Sequence, residues 1–107
     1  MTINWKTLSQ NVLTGTPAAV YTAPAATQTA VHAAQVWNPT GAPVTVQVFI
    51  VPVAGSATDA TRVDNVAVAA TTALPVFGLI NQKLTAGQAI YAAGNGVTLT
   101  TGGAESV

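Results

Sequence analysis

The stretch QTAVHAAQVWNPTGAPVTVQVFIVPV, residues 28–53, decides the fold. Its second half alternates with the two-residue period of a β-strand, so one set of apolar side chains shares a face: Val44, Val46, Val48 and Ile50. Between the halves, Asn38, Pro39 and Gly41 are turn residues, and Pro43 has no N–H for a ladder inside a sheet. We therefore predict two strands that flank this turn as a β-hairpin.

Further short strands are predicted on both sides of this hairpin, separated by glycine and proline. They lie within residues 1–14, 18–23, 28–38, 44–51, 62–72, 75–80, 89–93 and 97–101. The tail after residue 101 could form one more strand. Helical turns remain alternatives in residues 28–36 and 62–72, which contain good helix formers. Residues 84–88 and 94–96 are predicted as the turns of the last hairpins.

Seven to nine short strands at a spacing of roughly 8–12 residues are typical of a sandwich or barrel. We predict an all-β fold with one β-sandwich domain over residues 1–107, in which residues 1–7 form an extended N-terminal arm. A jelly-roll-like arrangement of two sheets is the first choice, and an immunoglobulin-like sandwich is the alternative. The hairpin patterns predict neighbouring strands but not the sheet to which each strand belongs.

The composition predicts a thin core and a surface with almost no charge. Hydrophobic residues make up 50% of the chain, but the count is dominated by 21 Ala and 15 Val, with two each of Trp, Tyr and Phe. Charged residues make up 6%, and the net charge is zero. Binding to nucleic acid is not expected, because no basic patch can form that would release many phosphate counterions. An uncharged surface protects poorly against association, so we expect an assembly that covers much of it.

Cellular placement is read from what the sequence lacks. There is no cysteine, so the redox compartment cannot be inferred. The N-terminal residues MTINWKTLSQN contain no apolar signal region, and no window approaches the ~18 apolar residues of a membrane span. We expect a protein made in a cytoplasm, without a cleaved signal or a membrane anchor.

Catalysis is not expected from the residues available. The only histidine, His32, lies between apolar neighbours in a predicted strand, where a structural role is the simplest interpretation. Asp59 and Asp64 are five residues apart around a loop, as a glycosidase pair could be, but no second feature supports that chemistry. We interpret Asp59 as a loop residue and Asp64 as a partner of Arg62 or a loop cap. No enzyme activity, metal site or cofactor is predicted.

The aromatic residues are candidates for contacts with a partner or a sugar. Trp37, Tyr21 and Tyr91 are predicted to lie in the core. Trp5 differs because its terminal segment offers little sequence to bury it, so it could anchor the chain in a partner's pocket.

Three segments together carry a family resemblance: VYTAPAATQTAVHAAQVWNPTGAPVTVQVFIVP, GSATDATRVDNVAVA and LTAGQAIYAAGNGVTLTTGGAES. In a group of small β-sandwich virion proteins of tailed bacteriophages, a YTAPA strand and turn precede a strand that ends in Asn. A VTV strand follows, and an L-x-A-G-x-x-I turn introduces the last hairpin. The matching positions are Tyr21–Ala25, Asn38, Val44–Val46 and Leu84–Ile90, and the chain resembles that group over about residues 12–106. Gln88 departs from the group, which commonly carries an acid there.

The resemblance implies a structural protein of the virion, made in the host cytoplasm. It implies a decoration or cement protein on the outside of a bacteriophage capsid, bound to the major capsid protein and often assembled as a homotrimer. We predict a partner contact in the arm, through Thr2, Ile3, Asn4, Trp5 and Lys6, which could add to a sheet edge of a neighbour. The loops at residues 39–42 and 54–60 are further candidates. The alternative is a tail, baseplate or fibre module that binds a host surface glycan or protein.

Overall fold

The computed structural model describes residues 2–107, and these residues form nine β-strands and no helix. The strands are β1 (Ile3–Val12), β2 (Ala18–Thr22), β3 (Gln28–Asn38), β4 (Val44–Val51), β5 (Arg62–Val68), β6 (Thr72–Pro75), β7 (Lys83–Leu84), β8 (Ala89–Ala93) and β9 (Thr98–Ser106). Accordingly, the described part of the chain contains no helix that is long and apolar enough to cross a membrane.

The strands form two antiparallel sheets packed face to face. The first sheet has the order β1-β9-β3-β6, and β7 pairs with β3 beside β6. The second sheet has the order β2-β8-β4-β5. Since β6 and β7 together serve as one interrupted edge strand, this is the eight-strand order of a jelly roll. The predicted β-sandwich is confirmed, with the jelly-roll arrangement rather than the immunoglobulin-like one.

The roll is one long hairpin folded over on itself. Its ladders pair the strands before the loop of residues 52–61 with those after it: β4 with β5, β3 with β6 and β7, β2 with β8, and β1 with β9. Two further ladders, β3 with β9 and β4 with β8, close the roll into two sheets. The N-terminal strand β1 therefore pairs with the C-terminal strand β9, from the other end of the sequence.

The core lies between the sheets and is built from inward-facing residues of β3, β4, β5, β7, β8 and β9, together with five residues of the connections: Leu13, Ala23, Val76, Leu79 and Val97. In β4, Val46 and Val48 are fully buried in the cluster between the sheets, as the alternation predicts. Most side chains of the cluster are small: Leu13, Ala23, Val31, Ala34, Val36, Val46, Val48, Val68, Val76, Leu79, Leu84, Ile90, Ala92, Val97 and Leu99. This cluster contains no aromatic ring, and the one fully or nearly buried aromatic side chain of residues 2–107, Phe49, lies outside it.

The hairpin predicted between β3 and β4 is wrong. β3 belongs to the first sheet and β4 to the second, so residues 39–43 carry the chain across the sandwich. The turns at residues 84–88 and 94–96 also join strands in different sheets. Turn residues determine where the chain changes direction, but they do not determine whether the next strand stays in the same sheet.

Three predicted segments also have different boundaries in the structure. Residues 62–72 are divided into β5 and β6 by a turn at residues 69–71. Residues 76–80 form a turn instead of a strand, because Val76 and Leu79, three apart, both point into the core. The tail does form a strand, as the last part of β9.

The predicted N-terminal arm is a second point of difference. Residues 3–7 belong to β1 and pair with residues 102–106 of β9 in the same chain. The ladder continues to Thr2, whose N–H and C=O both bond to Val107. Residues 3–7 are therefore part of an edge strand that pairs on one side with β9, and they do not project as an arm. Met1 lies outside the described residues.

Asn38 joins two of the crossings between the sheets. Its side chain is fully buried, and Nδ2 donates to the carbonyls of Ala42 at 2.9 Å and Val68 at 3.1 Å, with the Ala69 carbonyl at 3.3 Å. Its Oδ1 accepts from the N–H of Thr40 at 3.0 Å and from the Thr40 hydroxyl at 2.6 Å. One amide thus holds the β3–β4 crossing against the end of β5.

Gly103 lies where β9 and β3 approach most closely. A Cβ at this position would overlap the carbonyl oxygen of Ala30 on β3, beside the bulge between Val31 and Ala33. The neighbouring Gly102 has room, since the nearest atom to its Cβ would be the Lys6 carbonyl oxygen at 3.8 Å. Packing therefore requires a glycine at position 103 but not at position 102.

Asn38→Asp should destabilise the fold by about 3 kcal/mol or more, because a carboxylate would face carbonyl oxygens that need a donor. Urea unfolding at neutral pH measures the change. Asn95→Asp, at an exposed turn position, is the control and should leave the free energy of unfolding nearly unchanged. Equal stability of the two variants would contradict the role of Asn38.

Gly103→Ala should lower the free energy of unfolding by about 1–3 kcal/mol, since the methyl group forces β9 and β3 apart. Gly102→Ala is the matched control one residue away, and it should change stability by less than about 1 kcal/mol. Chemical denaturation of both variants checks the pair. A Gly103→Ala variant as stable as the control would show that the ladder can shift without cost.

Candidate functional site

The outer face of the first sheet carries most of the exposed large apolar side chains. Ile3, Trp5 and Val12 lie on β1, and Trp37 lies at the end of β3. Trp5 is 67% exposed and Trp37 is 42% exposed. The prediction that Trp37 lies in the core is therefore wrong: on β3 its neighbours Val36 and Asn38 take the inward positions.

One transverse row of this face combines an aromatic ring, two small side chains and a cation. Trp5 on β1 pairs with Ala104 on β9, Ala104 pairs with Ala30 on β3, and Ala30 pairs with Lys83 on β7. We call these four residues the Trp5 row. Because side chains in register stand side by side, the row has a wall at each end and a low floor between them.

A depression of about 390 Å³ lies over this row. Besides the four residues of the row, its lining is Ile3, Gln28, Thr29, Leu84, Thr85 and Ser106. The volume is within the ~300–1,000 Å³ that small-ligand pockets occupy. The depression is mostly apolar, with the amide of Gln28 and the hydroxyl of Ser106 available for hydrogen bonds. The Thr85 hydroxyl donates to Gln88 Oε1 at 3.1 Å, so it can serve a ligand only as an acceptor.

The Trp5 ring is positioned by His32. The two ring centroids are 5.9 Å apart, and the planes meet at 83°, which is an edge-to-face arrangement. His32 is exposed on β3, so its role in the structure is that of a surface strand residue in contact with Trp5. This contact restricts the rotation of an aromatic side chain that is otherwise largely surrounded by solvent.

A partly buried polar cluster lies on the inner side of the same end of the sheet. Glu105 on β9 accepts a hydrogen bond from the Tyr21 hydroxyl of β2 and forms an ion pair with Lys6 at 2.7 Å. The Tyr21 hydroxyl is also 2.8 Å from the hydroxyl of Thr29 on β3. Since β2 belongs to the second sheet, the cluster joins the two sheets behind the Trp5 row.

This cluster changes the ionisation of two groups in opposite directions. The hydrogen bonds from Lys6 and Tyr21 hold the pKa of the Glu105 carboxyl below its usual value, although burial acts in the other direction. Burial, together with the hydrogen bond to the Glu105 carboxylate, raises the pKa of Tyr21 to about 12. Both shifts favour the ionised glutamate and the neutral phenol that the hydrogen bond requires.

The predicted contact residues do not form one surface. Ile3 and Trp5 lie on the outer face, whereas Lys6 binds the inward-facing Glu105, and Asn4 is opposite Glu105 in the ladder. Thr2 continues the β1–β9 ladder. The alternation of a strand separates the five residues, and partner binding by them stays a prediction.

The sequence analysis did not predict the other three residues of the Trp5 row. Ala30, Ala104 and Lys83 come from three different strands, and only the register of the sheet brings them together. The available signal was the run of small residues at alternate positions of β9, Gly102, Ala104 and Ser106, which leaves one face of a central strand without bulk.

A second exposed feature is the turn at residues 76–81, which we call the Phe77 turn. Val76 and Leu79 are fully buried, whereas Phe77 between them is 76% exposed. Asp64 accepts a hydrogen bond from the Gly78 N–H at 2.9 Å, and a Cβ on Gly78 would overlap the carbonyl of Val63. The turn is thus fixed against β5, and it presents one aromatic ring to solvent.

The acidic residues have structural contacts. Asp64 caps the Phe77 turn, which is one of the two roles predicted for it, and Arg62 pairs instead with Asp59 at 3.0 Å on an exposed loop. Within residues 2–107, no three side chains of His, Cys, Asp or Glu are grouped so that they could hold a metal ion.

Comparison of the chain with known protein families, curated proteins and solved structures gives no match.

Stability should fall between pH 10 and pH 12 through ionisation of Tyr21. Its pKa is near 10 in the unfolded chain and about 12 in the fold, so the contribution is complete below pH 10 and is lost as pH rises towards 12. Tyr21→Phe should show a smaller loss over this window. The measurement is the free energy of unfolding against pH, with the tyrosinate absorbance of the folded protein as a direct titration.

Tyr91→Phe is the matched control for this experiment, and it should retain the loss of stability seen in the unchanged protein. If Tyr21→Phe and the unchanged protein lose stability equally between pH 10 and pH 12, Tyr21 does not carry the effect.

Proposed function

We propose that this chain is a structural protein of a bacteriophage virion, of the decoration or cement type, which binds the outside of the capsid and stabilises it. In this role it associates with the major capsid protein and with copies of itself as a homotrimer. The observation that carries the proposal is the Phe77 turn, a rigid support that presents an exposed aromatic ring.

A fixed, exposed aromatic side chain suits the centre of a protein interface. Aromatic residues are enriched among the few that contribute most of the binding energy, particularly where they enter a pocket of the partner. Because Val76, Leu79 and the Asp64 hydrogen bond fix the turn, Phe77 would lose little conformational freedom on binding. This supports a preformed contact with a protein surface.

The charge of the chain supports dense assembly. Three basic and three acidic residues give zero net charge, and two of the opposite pairs are already joined within the fold. Many copies can therefore lie side by side on a lattice without strong mutual repulsion. The jelly-roll arrangement is also used by viral capsid proteins, although a fold alone does not determine function.

A tail, baseplate or fibre module that recognises a host surface glycan is the second candidate. The Trp5 row favours it, because an exposed indole beside a shallow floor is a suitable platform for a sugar ring. Copy number separates the two candidates, since a lattice protein is present in hundreds of copies and a tail module in few.

The direct test is the stoichiometry of the protein in purified virions, measured by quantitative mass spectrometry against the major capsid protein. We expect about one copy per capsid protein, or one trimer at each threefold position of the lattice. A few copies per particle would move the protein to the tail. Absence from the particle would overturn both candidates.

Capsids prepared without the protein should bind the Phe77→Ser variant roughly tenfold less, or weaker still, than they bind the unchanged protein, because the substitution removes the proposed anchor. The measurement is binding of the purified protein to such capsids, followed by sedimentation. Val12→Thr, which changes an exposed apolar residue on the opposite edge of the first sheet, is the control and should bind normally. Normal binding by Phe77→Ser would remove the main support for the proposal.

A further inference from the structure

We propose that the Trp5 row is a binding site for a saccharide unit that carries a carboxylate. The sugar ring would stack on Trp5, and its carboxylate would bind the ammonium group of Lys83. This site does not require a capsid, and Phe77 is not part of its lining. Saccharide binding and the proposed virion role can therefore be tested, and can fail, separately.

The spacing of the row fits one sugar ring. Neighbouring strands lie about 4.8 Å apart, so the Cα atoms of Trp5 and Lys83, three strands apart, are separated by roughly 14 Å. The floor between them consists of the methyl groups of Ala104 and Ala30. A pyranose ring can rest on these methyl groups beside the indole, and the Lys83 side chain is long enough to approach a substituent on its far side.

Polar groups occur where the hydroxyls of such a ring would need partners. Gln28 and Ser106 are paired with each other in the β3–β9 ladder, two residues along from Ala30 and Ala104, so they form the adjacent row of the same face. Thr85 follows β7 and lies at the same rim. The Gln28 amide and the Ser106 hydroxyl offer both donors and acceptors, and the Thr85 hydroxyl, which donates to Gln88, offers an acceptor.

The charge of Lys83 determines the chemical class of the ligand. Lys6 is paired with Glu105 and Arg62 with Asp59, whereas Lys83 has no carboxylate partner among residues 2–107. Its ammonium group donates only to the carbonyl oxygen of Asn81, at 2.9 Å. An anionic group on the ligand would supply a charge-assisted hydrogen bond that no group of the described chain provides.

The floor of the site favours a saccharide over an added peptide strand. Ala104 lies between β1 and β3, and Ala30 lies between β9 and β7, so each floor residue is paired on both sides. No free row of backbone groups is available there for an extended peptide to join. A ligand on this floor would therefore be held by side chains of the row and not by backbone pairing.

The test measures binding of tri-galacturonate to the purified protein by calorimetry, with its methyl ester as the neutral counterpart. A panel of other carboxylated oligosaccharides, containing glucuronate or sialate, is measured in the same way. We expect the acid to bind at least about tenfold more tightly than the ester, with the difference reduced at high salt. Trp5→Ala should weaken both ligands by roughly tenfold or more.

Two matched variants make the result specific. Lys83→Gln should make the affinities for acid and ester equal, whereas Arg62→Gln, a cation elsewhere, should leave the preference intact. Trp37→Ala, the other exposed tryptophan of the same face, should bind as the unchanged protein does. Thermal unfolding of each variant confirms that these exposed positions leave the fold intact.

Three results would overturn the proposal. These are no binding of any carboxylated saccharide in the panel, equal affinity of acid and ester for the unchanged protein, and binding that survives Trp5→Ala. Stronger Trp5-dependent binding of an acidic apolar peptide, such as N-acetyl-Leu-Glu amide, would assign the row to a protein partner instead.

Discussion

The amide of Asn38 lies where two crossings between the sheets meet, and its hydrogen bonds hold these crossings together. Its nitrogen holds carbonyls from the β3–β4 crossing and from the end of β5, and its oxygen holds Thr40. The bond to the Val68 carbonyl is buried, so its loss would leave that carbonyl without a partner away from water. Ala42 is exposed, and its carbonyl also accepts from the Thr40 hydroxyl. One side chain thus provides hydrogen-bond partners for the backbone at both crossings. The buried cluster between the sheets consists of valine, leucine, isoleucine and alanine side chains.

The sequence alone predicts the strands of this protein better than it predicts their arrangement. The alternation of Val44–Val51 depends on local burial, so β4 and its inward face could be predicted from spacing alone. Sheet membership could not be predicted, because Asn38 and Gly94 mark turns equally well whether the chain returns along a neighbouring strand or crosses to the other sheet.

The residues of the candidate site were equally difficult to predict from the sequence. Trp5 attracts attention as an isolated aromatic residue, but Lys83 lies 78 positions away in sequence, and only the registers of three ladders place it in the same row.

The two faces of the strands at one end of the first sheet have different tasks. On the inner side, Glu105 joins Lys6 and Tyr21 and so connects the two sheets. On the outer side, Ala104 and Ser106, the neighbours of Glu105 in β9, form part of a depression beside Trp5. A rigid polar cluster directly behind a shallow site keeps the floor of that site in place, which reduces the ordering cost of binding. The Phe77 turn shows the same principle at the opposite edge, where buried Val76 and Leu79 hold an exposed ring.

The rolled-hairpin arrangement has a consequence for the speed and order of folding. β4 and β5 are the only strands adjacent in sequence that pair with each other, across the loop of residues 52–61. Once this ladder exists, β3 and β6 are brought close, then β2 and β8, and finally β1 and β9, so each step closes only a short additional loop. Direct encounter of β1 with β9 would instead require closure of nearly the whole chain. Proteins dominated by such distant contacts fold in roughly milliseconds to seconds. The outermost ladder, which carries Trp5, would then be the last to form and the first to open.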